Sequence, residues 1–511
     1  LRSRFTNFGY KLRSGREGAR YAAYLVNKRA TKDTLFVGSN GGMLHALDAE
    51  EGNELFAYVP DQIIPQLATL SHPKYGCKAS DCLSHQYSVD GKSTVADAYF
   101  GNQWRSVLVG TLGLGGKGLF ALDVSNPSTF AANDVLWEIS DTQAPDSPST
   151  FAKHLGLSLP EVVVAPMSNG QWVAIVANGY DSDSHKAVLF IIDIETGTLI
   201  KTLNTGYGSA SQKNGLSSPT AVDSDGDYIT DTIYAGDLQG NLWAFDVSNQ
   251  DPAKWGSKYE AEPLFRACID TNCTQHQAIT AKPQVGKNPS GGLMVYVGTG
   301  KYTDLSDHDS SDYNGGFSTF YGLHDNNKVV NMTQLVEQKI IHEQEIKQDL
   351  KSRLTTNHEV QYPTDQGWFM NLLTPPSAQS QGERVISQAL LREGRLIFTT
   401  LSPSQSNCSW GGKSWLMELN ALDGSRLSVI PLDVNNDKQF TAADNILYNE
   451  VDTIISGVQD AALGMVLSPP AIITHNTRAE GKYLTGTSGT IGMFRESSSY
   501  FSGRMSWTKL K

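Results

Sequence analysis

The 511-residue chain carries 53 acidic against 41 basic side chains, a net charge of −12, which argues against a nucleic-acid or anionic-lipid binder because phosphate contacts need clustered Lys and Arg. Hydrophobic residues make up 39% and charged residues 18%, with 47 glycines, a composition suited to many short strands joined by tight turns. No apolar run is long enough to be a transmembrane helix, and no signal peptide is visible where the sequence begins Leu-Arg-Ser-Arg, so the chain reads as a piece of a longer secreted protein.

Residues 1–34 are expected to be a lead-in segment, whose basic stretch from Arg2 to Arg29 reads as solvated rather than as a binding patch. At Leu35 a repeating unit begins: a strand, a Gly-rich turn, a second strand ending in Ala-Leu-Asp, a turn through Gly52 and the start of a third strand at Phe56. The unit returns in residues 107–123, 173–197, 232–246, 293–298, 395–424 and 483–487. About seven copies predict an all-β fold, a modified β-propeller. Residues 35–511 are expected to form one domain, because a closed ring of blades cannot be cut without exposing strand edges. Uneven spacing assigns excursions to residues 138–160, 301–316 and 325–365, the last expected to be part helix around Asn331 to Leu350.

Cys77 and Cys82 are separated by four residues, and so are Cys268 and Cys273. Two small disulfide loops are expected, and with them an oxidising compartment outside the cytosol. A four-thiolate zinc site is the competing reading, but it prefers the shorter Cys-x-x-Cys spacing. Cys408 is left over and reads as a small buried apolar residue.

Residues 223–231 read Asp-Ser-Asp-Gly-Asp-Tyr-Ile-Thr-Asp. Oxygen ligands at loop positions one, three, five, seven and nine surround a hard divalent cation, the seventh through its backbone carbonyl, so Asp223, Asp225, Asp227, Ile229 and Asp231 form a candidate calcium set. Four carboxylates with no Lys or Arg among them repel one another unless a proton or metal neutralises them. A solvated Asp/Gly turn is the competing reading. The pattern departs from the helix-loop-helix hand, which has Gly at position six and Glu at position twelve; here those positions hold Tyr228 and Tyr234. The β-branched and aromatic run that follows predicts a loop leading directly into a strand.

A second candidate runs from residue 433 to 444, where Asp433, Asn435, Asp437 and Gln439 fill positions one, three, five and seven and Asp444 fills position twelve. It resembles the calcium loop of dockerin modules. Lys438 occupies the position where left-handed backbone is expected and adds a positive charge, which keeps a polar turn open as the alternative.

Other motifs fail on context. Gly113-Leu-Gly-Gly-Lys-Gly118 fits the dinucleotide pattern but lies between two strands, so a hairpin turn is expected. Gly298-Thr-Gly-Lys301 lacks the leading glycine of a phosphate loop, and Tyr302 stands where the magnesium-binding hydroxyl belongs. His154, His276 and His358 read as structural, and Asp304, Asp307, Asp309 and Asp312 as a mobile acidic loop. No catalytic constellation is recognised, and the chain is expected not to be an enzyme.

Four stretches carry a specific resemblance: Gly367-Trp-Phe-Met-Asn-Leu-Leu, Gly382-Glu-Arg-Val-Ile, Gly394-Arg-Leu-Ile-Phe-Thr-Thr-Leu-Ser-Pro403, and Cys408-Ser-Trp-Gly-Gly-Lys-Ser-Trp-Leu-Met-Glu-Leu-Asn-Ala-Leu-Asp-Gly424. With the early Gly-Ser-Asn-Gly-Gly-Met-Leu-His-Ala-Leu-Asp blade and the 223–231 loop, they resemble the C-terminal domain of the PilC/PilY family of type IV pilus tip proteins. The resemblance covers most of the chain. It implies quinoprotein-like blades with loop and helical insertions, calcium at the 223–231 loop, and an absent N-terminal half. It further implies a role in pilus biogenesis, in the balance of extension and retraction, in twitching motility and in host-cell adhesion. The implied partners are pilus subunits or minor pilins and a host-cell receptor, and the implied location is the cell surface, at the pilus tip and associated with the outer membrane. Two other classes share parts of the pattern. A quinone-dependent dehydrogenase combines a propeller, disulfides and calcium, and Ala46-Leu-Asp48 with Gly52 and Phe56 partly matches its blade-docking repeat; the adjacent Cys-Cys pair and the closing Trp of the first blade are missing. The third class is a scaffold propeller with no metal dependence.

Overall fold

Alternating apolar residues cut short by Gly and Asn favour hairpins over helices, and hairpins dominate the chain. The computed structural model describes residues 16–77, 81–142, 150–270, 273–308, 316–404, 411–476 and 479–497; Cys408, Asp309 and Asp312 lie outside them. Two units pack within themselves, Leu1–Pro263 and Leu264–Lys511. Among the described residues there are nine sheets, and all but two of them have three or more strands.

In the first unit, β1 (Thr34–Gly38), β2 (Leu44–Asp48) and β3 (Glu54–Tyr58) form the first sheet. The second is a meander of β4 (Ser93–Phe100), β5 (Gln103–Thr111), β6 (Gly118–Asp123) and β7 (Val135–Ser140). The third is a meander of β8 (Val163–Pro166), β9 (Trp172–Ala177), β10 (Val188–Asp193) and β11 (Leu199–Asn204). β12 (Thr220–Val222), β13 (Thr232–Gly236), β14 (Asn241–Asp246) and β15 (Gly256–Ser257) follow in the same order. Such antiparallel meanders are the blades of a β-propeller.

The third sheet shows how the core is built. Side chains alternate faces along a strand. Trp172, Ala174 and Val176 of β9 and Val188, Phe190 and Ile192 of β10 join a cluster with Trp104 and Phe151 on one face. Val173, Ile175, Ala177, Leu189 and Ile191 join Trp243 and Phe245 on the other. A sheet covered on both sides reads as continuous apolar sequence, and each large side chain so buried contributes about 1.5–3 kcal/mol.

Helix α1 (Arg16–Lys28) departs from the expectation of a solvated lead-in. Tyr21, Tyr24, Leu25 and Lys28 recur at i, i+3, i+4 and i+7, one face of a helix. Tyr21 is buried, and Tyr24 and Leu25 pack on the same cluster as Trp104. The Tyr21 and Tyr24 hydroxyls donate to Asp97 at 3.2 Å, and Lys28 ion-pairs with it.

Gly113 to Gly118 is the turn between β5 and β6, as its context predicts. A Cβ on Gly115 would sit 1.7 Å from the Ser88 carbonyl oxygen, so close backbone approach accounts for that glycine without any phosphate.

In the second unit, strands Gln284–Lys287, Leu293–Gly298, Thr319–Asp325 and Gly367–Asn371 pair antiparallel, with Val336–Gln338 added in parallel. The helix expected around Asn331 to Leu350 is absent: a short 3₁₀ turn at Met332–Gln334 is followed by the hairpin Ile340–Lys347 and Leu350–Thr355. Tertiary pairing overrides the helical leaning of its Glu, Gln and Lys residues. Arg353, buried on this hairpin, bonds Glu343 and Glu383 at 2.7 Å each and lies 4.0 Å from the Trp415 ring centroid.

A second buried ion cluster joins four strands. Arg395 Nη1 lies 3.1 Å from Glu418 and 2.6 Å from Glu496, while Lys482 Nζ lies 2.5 Å from Glu418 and 2.8 Å from Glu496. Burial, and then the neighbouring Glu418 charge, push the Glu496 carboxyl up to about 9. Burial also works to raise Glu418, but Lys482 and Arg395 overcome it and hold that carboxyl below the ordinary range.

Candidate metal site

The 223–231 loop closes a hairpin. β12 ends at Val222, β13 begins at Thr232, and those two residues face one another in the antiparallel register. The Thr230 amide donates to Pro166 O at 3.1 Å, the Asp231 amide to Val222 O at 2.9 Å, and the Val247 amide to Asp231 O at 2.9 Å. This end of the loop is therefore built into the sheet.

At the other end, carboxylates organise the backbone. Asp223 accepts from the Gly226 amide at 2.6 Å through Oδ1 and from the Tyr228 amide at 2.9 Å through Oδ2. Asp225 accepts from the Asp227 amide at 3.1 Å, and Asp227 from the Ile229 amide at 2.8 Å. Side-chain oxygens of Asp223, Asp225 and Asp227 all lie within 4.8 Å of one another, Asp225 and Asp227 being exposed. Asp231 turns Oδ2 toward the Ser224 amide at 2.8 Å and the Ser224 hydroxyl at 2.7 Å. Among the described residues, no Lys or Arg forms an ion pair with any of the four. An oxygen-only, multiply charged donor set fits a hard cation.

Tyr228 resolves the departure at position six. It takes the left-handed conformation itself, with φ of +73°, two residues after Gly226 at +90°. A non-glycine residue there is strained by about 1–3 kcal/mol and persists only where surrounding structure holds it. The Tyr228 side chain packs against the cluster containing Trp104 and Phe190. Ser224, Tyr228 and Thr230 were not among the sequence candidates; an aromatic in place of the expected glycine was the one signal that could have singled out Tyr228.

In the 433–444 loop, Asp433 ends strand Leu432–Asp433 and Asp444 closes a short 3₁₀ turn, Ala442–Asp444. Both are buried, whereas Asn435, Asp437 and Gln439 are exposed.

The other candidates have different partners. Cys77 is bonded to Cys82 and Cys268 to Cys273. His276 Nδ1 lies 3.6 Å from Cys273 Sγ, but a sulfur in a disulfide is no thiolate ligand. Lys301 ion-pairs with Asp304 and, at 3.3 Å, with Asp307. His358 Nδ1 lies 2.7 Å from the Glu337 carbonyl oxygen. Asp237 is wholly buried; burial pushes its carboxyl up, against the pull of Trp243, Asn214 and Asn241, all of which bond it at 2.9 Å, so it serves the hairpin turn.

A profile of the PilY1 beta-propeller domain matches residues 8–358. A "Type IV pilus biogenesis factor PilY1 homolog" of Xylella fastidiosa is 36% identical over 448 residues, covering 83% of this chain and 28% of that protein. "Type IV pilus biogenesis factor PilY1" of Pseudomonas aeruginosa is 31% identical over 479 residues, covering 87% of this chain and 39% of that protein. The crystal structure of the Pseudomonas aeruginosa PilY1 C-terminal domain superposes with a TM-score of 0.76 at 27% identity, covering 94% of this chain and 95% of that one. The chain thus spans well under half the length of these full-length relatives. With disulfides that fit an extracytoplasmic setting and blades built as antiparallel meanders, the chain belongs to the PilY1 beta-propeller domain family of type IV pilus biogenesis factors.

Proposed function

We propose that the chain is the calcium-binding C-terminal propeller domain of a type IV pilus tip-associated protein, its blades from residue 35 to 511 forming one propeller. The observation that carries the reading is the meeting of Asp223, Asp225 and Asp227 on one exposed loop, their oxygens within 4.8 Å of one another. Asp231 and the backbone carbonyl of Ile229 complete the set. Calcium suits it better than a transition metal, since every donor is oxygen, and better than magnesium, which keeps several waters and favours few carboxylates. The names of the relatives, type IV pilus biogenesis factors, support partners among pilus subunits or minor pilins and a place at the pilus tip outside the cell. There the domain acts in pilus biogenesis, in the control of extension and retraction, in twitching motility and in adhesion to a host-cell receptor. Calcium biases one state of the domain over another only through a difference in affinity for the two.

Calorimetric titration of calcium into the chain and into Asp225→Ala tests the site. The substitution is expected to remove one binding step while the fold, held by the apolar blades, stays intact; an unchanged titration sinks the assignment. In the full-length protein, replacing Asp223, Asp225 and Asp227 together is expected to alter piliation or twitching with secretion preserved. Normal piliation, motility and adhesion in that variant, with calcium and with chelator, would remove the regulatory role.

A further inference from the structure

The two acidic loops are wired alike. In the 433–444 loop the Lys438 amide donates to Asp433 Oδ2 at 2.9 Å, the Asp437 amide to Asn435 Oδ1 at 2.8 Å and the Gln439 amide to Asp437 Oδ1 at 2.7 Å. These repeat the bonds from Tyr228 to Asp223, Asp227 to Asp225 and Ile229 to Asp227. The position-two amide also reaches the last carboxylate in both loops: Val434 donates to Asp444 Oδ1 at 2.9 Å, as Ser224 does to Asp231. Left-handed backbone falls at positions four and six in each, Asn436 at +63° and Lys438 at +67° beside Gly226 and Tyr228.

Independent of that wiring, Asp433 is only 4% exposed and its Oδ1 is buried without a hydrogen-bond partner. The Lys438 amide on Oδ2 ties the same carboxylate to the interior of the loop. A buried carboxylate oxygen with nothing to accept from is unfavourable, and a cation in the loop would compensate it. Lys438, whose charge counted against a metal, is solvent-exposed. Arg495 faces Asp433 across the strand register, and Lys347 Nζ lies 3.4 Å from Val434 O, so the loop also has basic neighbours.

We propose that residues 433–444 form a second divalent-cation site, with side-chain oxygens of Asp433, Asn435 and Asp437 and the backbone carbonyl of Gln439 as donors. Asp444, wholly buried, accepts from the Val434 amide and braces the loop; unlike Asp231 of the first loop, it lies outside the donor set. The donor set is oxygen throughout, which selects a hard cation of the calcium class.

Equilibrium dialysis against radioactive calcium tests this apart from the first loop. The whole chain is expected to retain two calcium ions, Asp225→Ala one, and Asp225→Ala combined with Asp437→Ala none. Asp437 is exposed and Asn435→Ala is a second exposed variant, so loss of binding is not confused with loss of fold. Lys438→Gln is expected to tighten the remaining site by removing a like charge. Should Asp225→Ala retain no calcium, or should Asp437→Ala and Asn435→Ala both leave the stoichiometry unchanged, the second site is overturned; Arg495 would then be the counter-ion of Asp433. A chain that binds one ion, lost in Asp437→Ala and kept in Asp225→Ala, would support this site and overturn the first.

Discussion

In the first unit, Asp223, Asp225 and Asp227 converge on a surface loop where no Lys or Arg of the described residues pairs with them; in the second, Glu418 and Glu496 converge in the interior with Arg395 and Lys482 between them. Both are clusters of carboxylates at short range. The buried cluster brings its own counter-charges, and burial together with the neighbouring Glu418 charge pushes the Glu496 carboxyl up. The exposed one leaves neutralisation to the solvent. Removing carboxylates from water costs several kcal/mol per ion unless they are compensated, and here Arg395 and Lys482 compensate the buried pair, while a cluster left at the surface can take a cation from outside and so answer to its concentration.

The sharpest way to break the contrast is to strip the internal counter-charge. Lys482→Ala leaves Glu418 with Arg395 alone and is expected to cost about 3–5 kcal/mol in denaturant unfolding at neutral pH. The loss should shrink in acid as Glu418 takes up a proton. Phe190→Ala, in the apolar core of the first unit, is expected to cost a similar ~3–5 kcal/mol with little pH dependence. Equal losses for Lys482→Ala at acid and neutral pH would show that packing, not charge, is at stake.

Removing the external counter-charge is expected to have a smaller effect. A cation that binds only the folded chain stabilises it by about 2.7 kcal/mol at a hundredfold excess over its dissociation constant. Chelator should therefore lower the melting temperature, and Asp225→Ala should lose the share that belongs to the first loop. Identical melting of that variant and the unsubstituted chain, with and without calcium, would mean that the loop stabilises nothing.

The gentlest probe is pH. Folded, Glu496 keeps its proton to about 9 instead of the ordinary 4.5, so across that window the folded chain holds a proton that the unfolded chain has released. Its contribution is full below the ordinary value and is lost as pH rises toward 9, at no more than about 1.4 kcal/mol per pH unit. Glu496→Gln is expected to flatten that slope; an unchanged slope would place the titration elsewhere.

What the sequence could show follows from range. The blades were legible because each is a local run of strand, turn and strand, and the meeting of Asp223, Asp225 and Asp227 because the three carboxylates alternate within five residues. The hairpin Ile340–Lys347 and Leu350–Thr355 begins inside the stretch around Asn331 to Leu350 where part helix is expected, because the Glu, Gln and Lys content there is local, whereas its reasons for being a strand, Arg353 on Glu383 among them, come from distant residues. Arg395, Glu418, Lys482 and Glu496 lie on four separate strands, and nothing in the order of residues announces that they meet. Helix α1 was legible in principle, through the spacing of Tyr21, Tyr24, Leu25 and Lys28, and was hidden by its basic flanks.

Tyr228 has a consequence for reversibility. With the Tyr228 ring seated on the core and with Thr230 and Asp231 tied to Pro166 and Val222, the last third of the loop is held by the sheet and the core rather than by its neighbouring carboxylates. Fixing the backbone of one residue costs about 1–2 kcal/mol of entropy, and that cost falls only on the exposed stretch around Asp225 and Asp227. Under the proposed calcium binding, capture is a closing of a few residues onto a fixed rim, and release leaves the strands on either side paired. On the proposed reading, such a loop can give up and regain a cation as its concentration changes without unfolding the sheet around it.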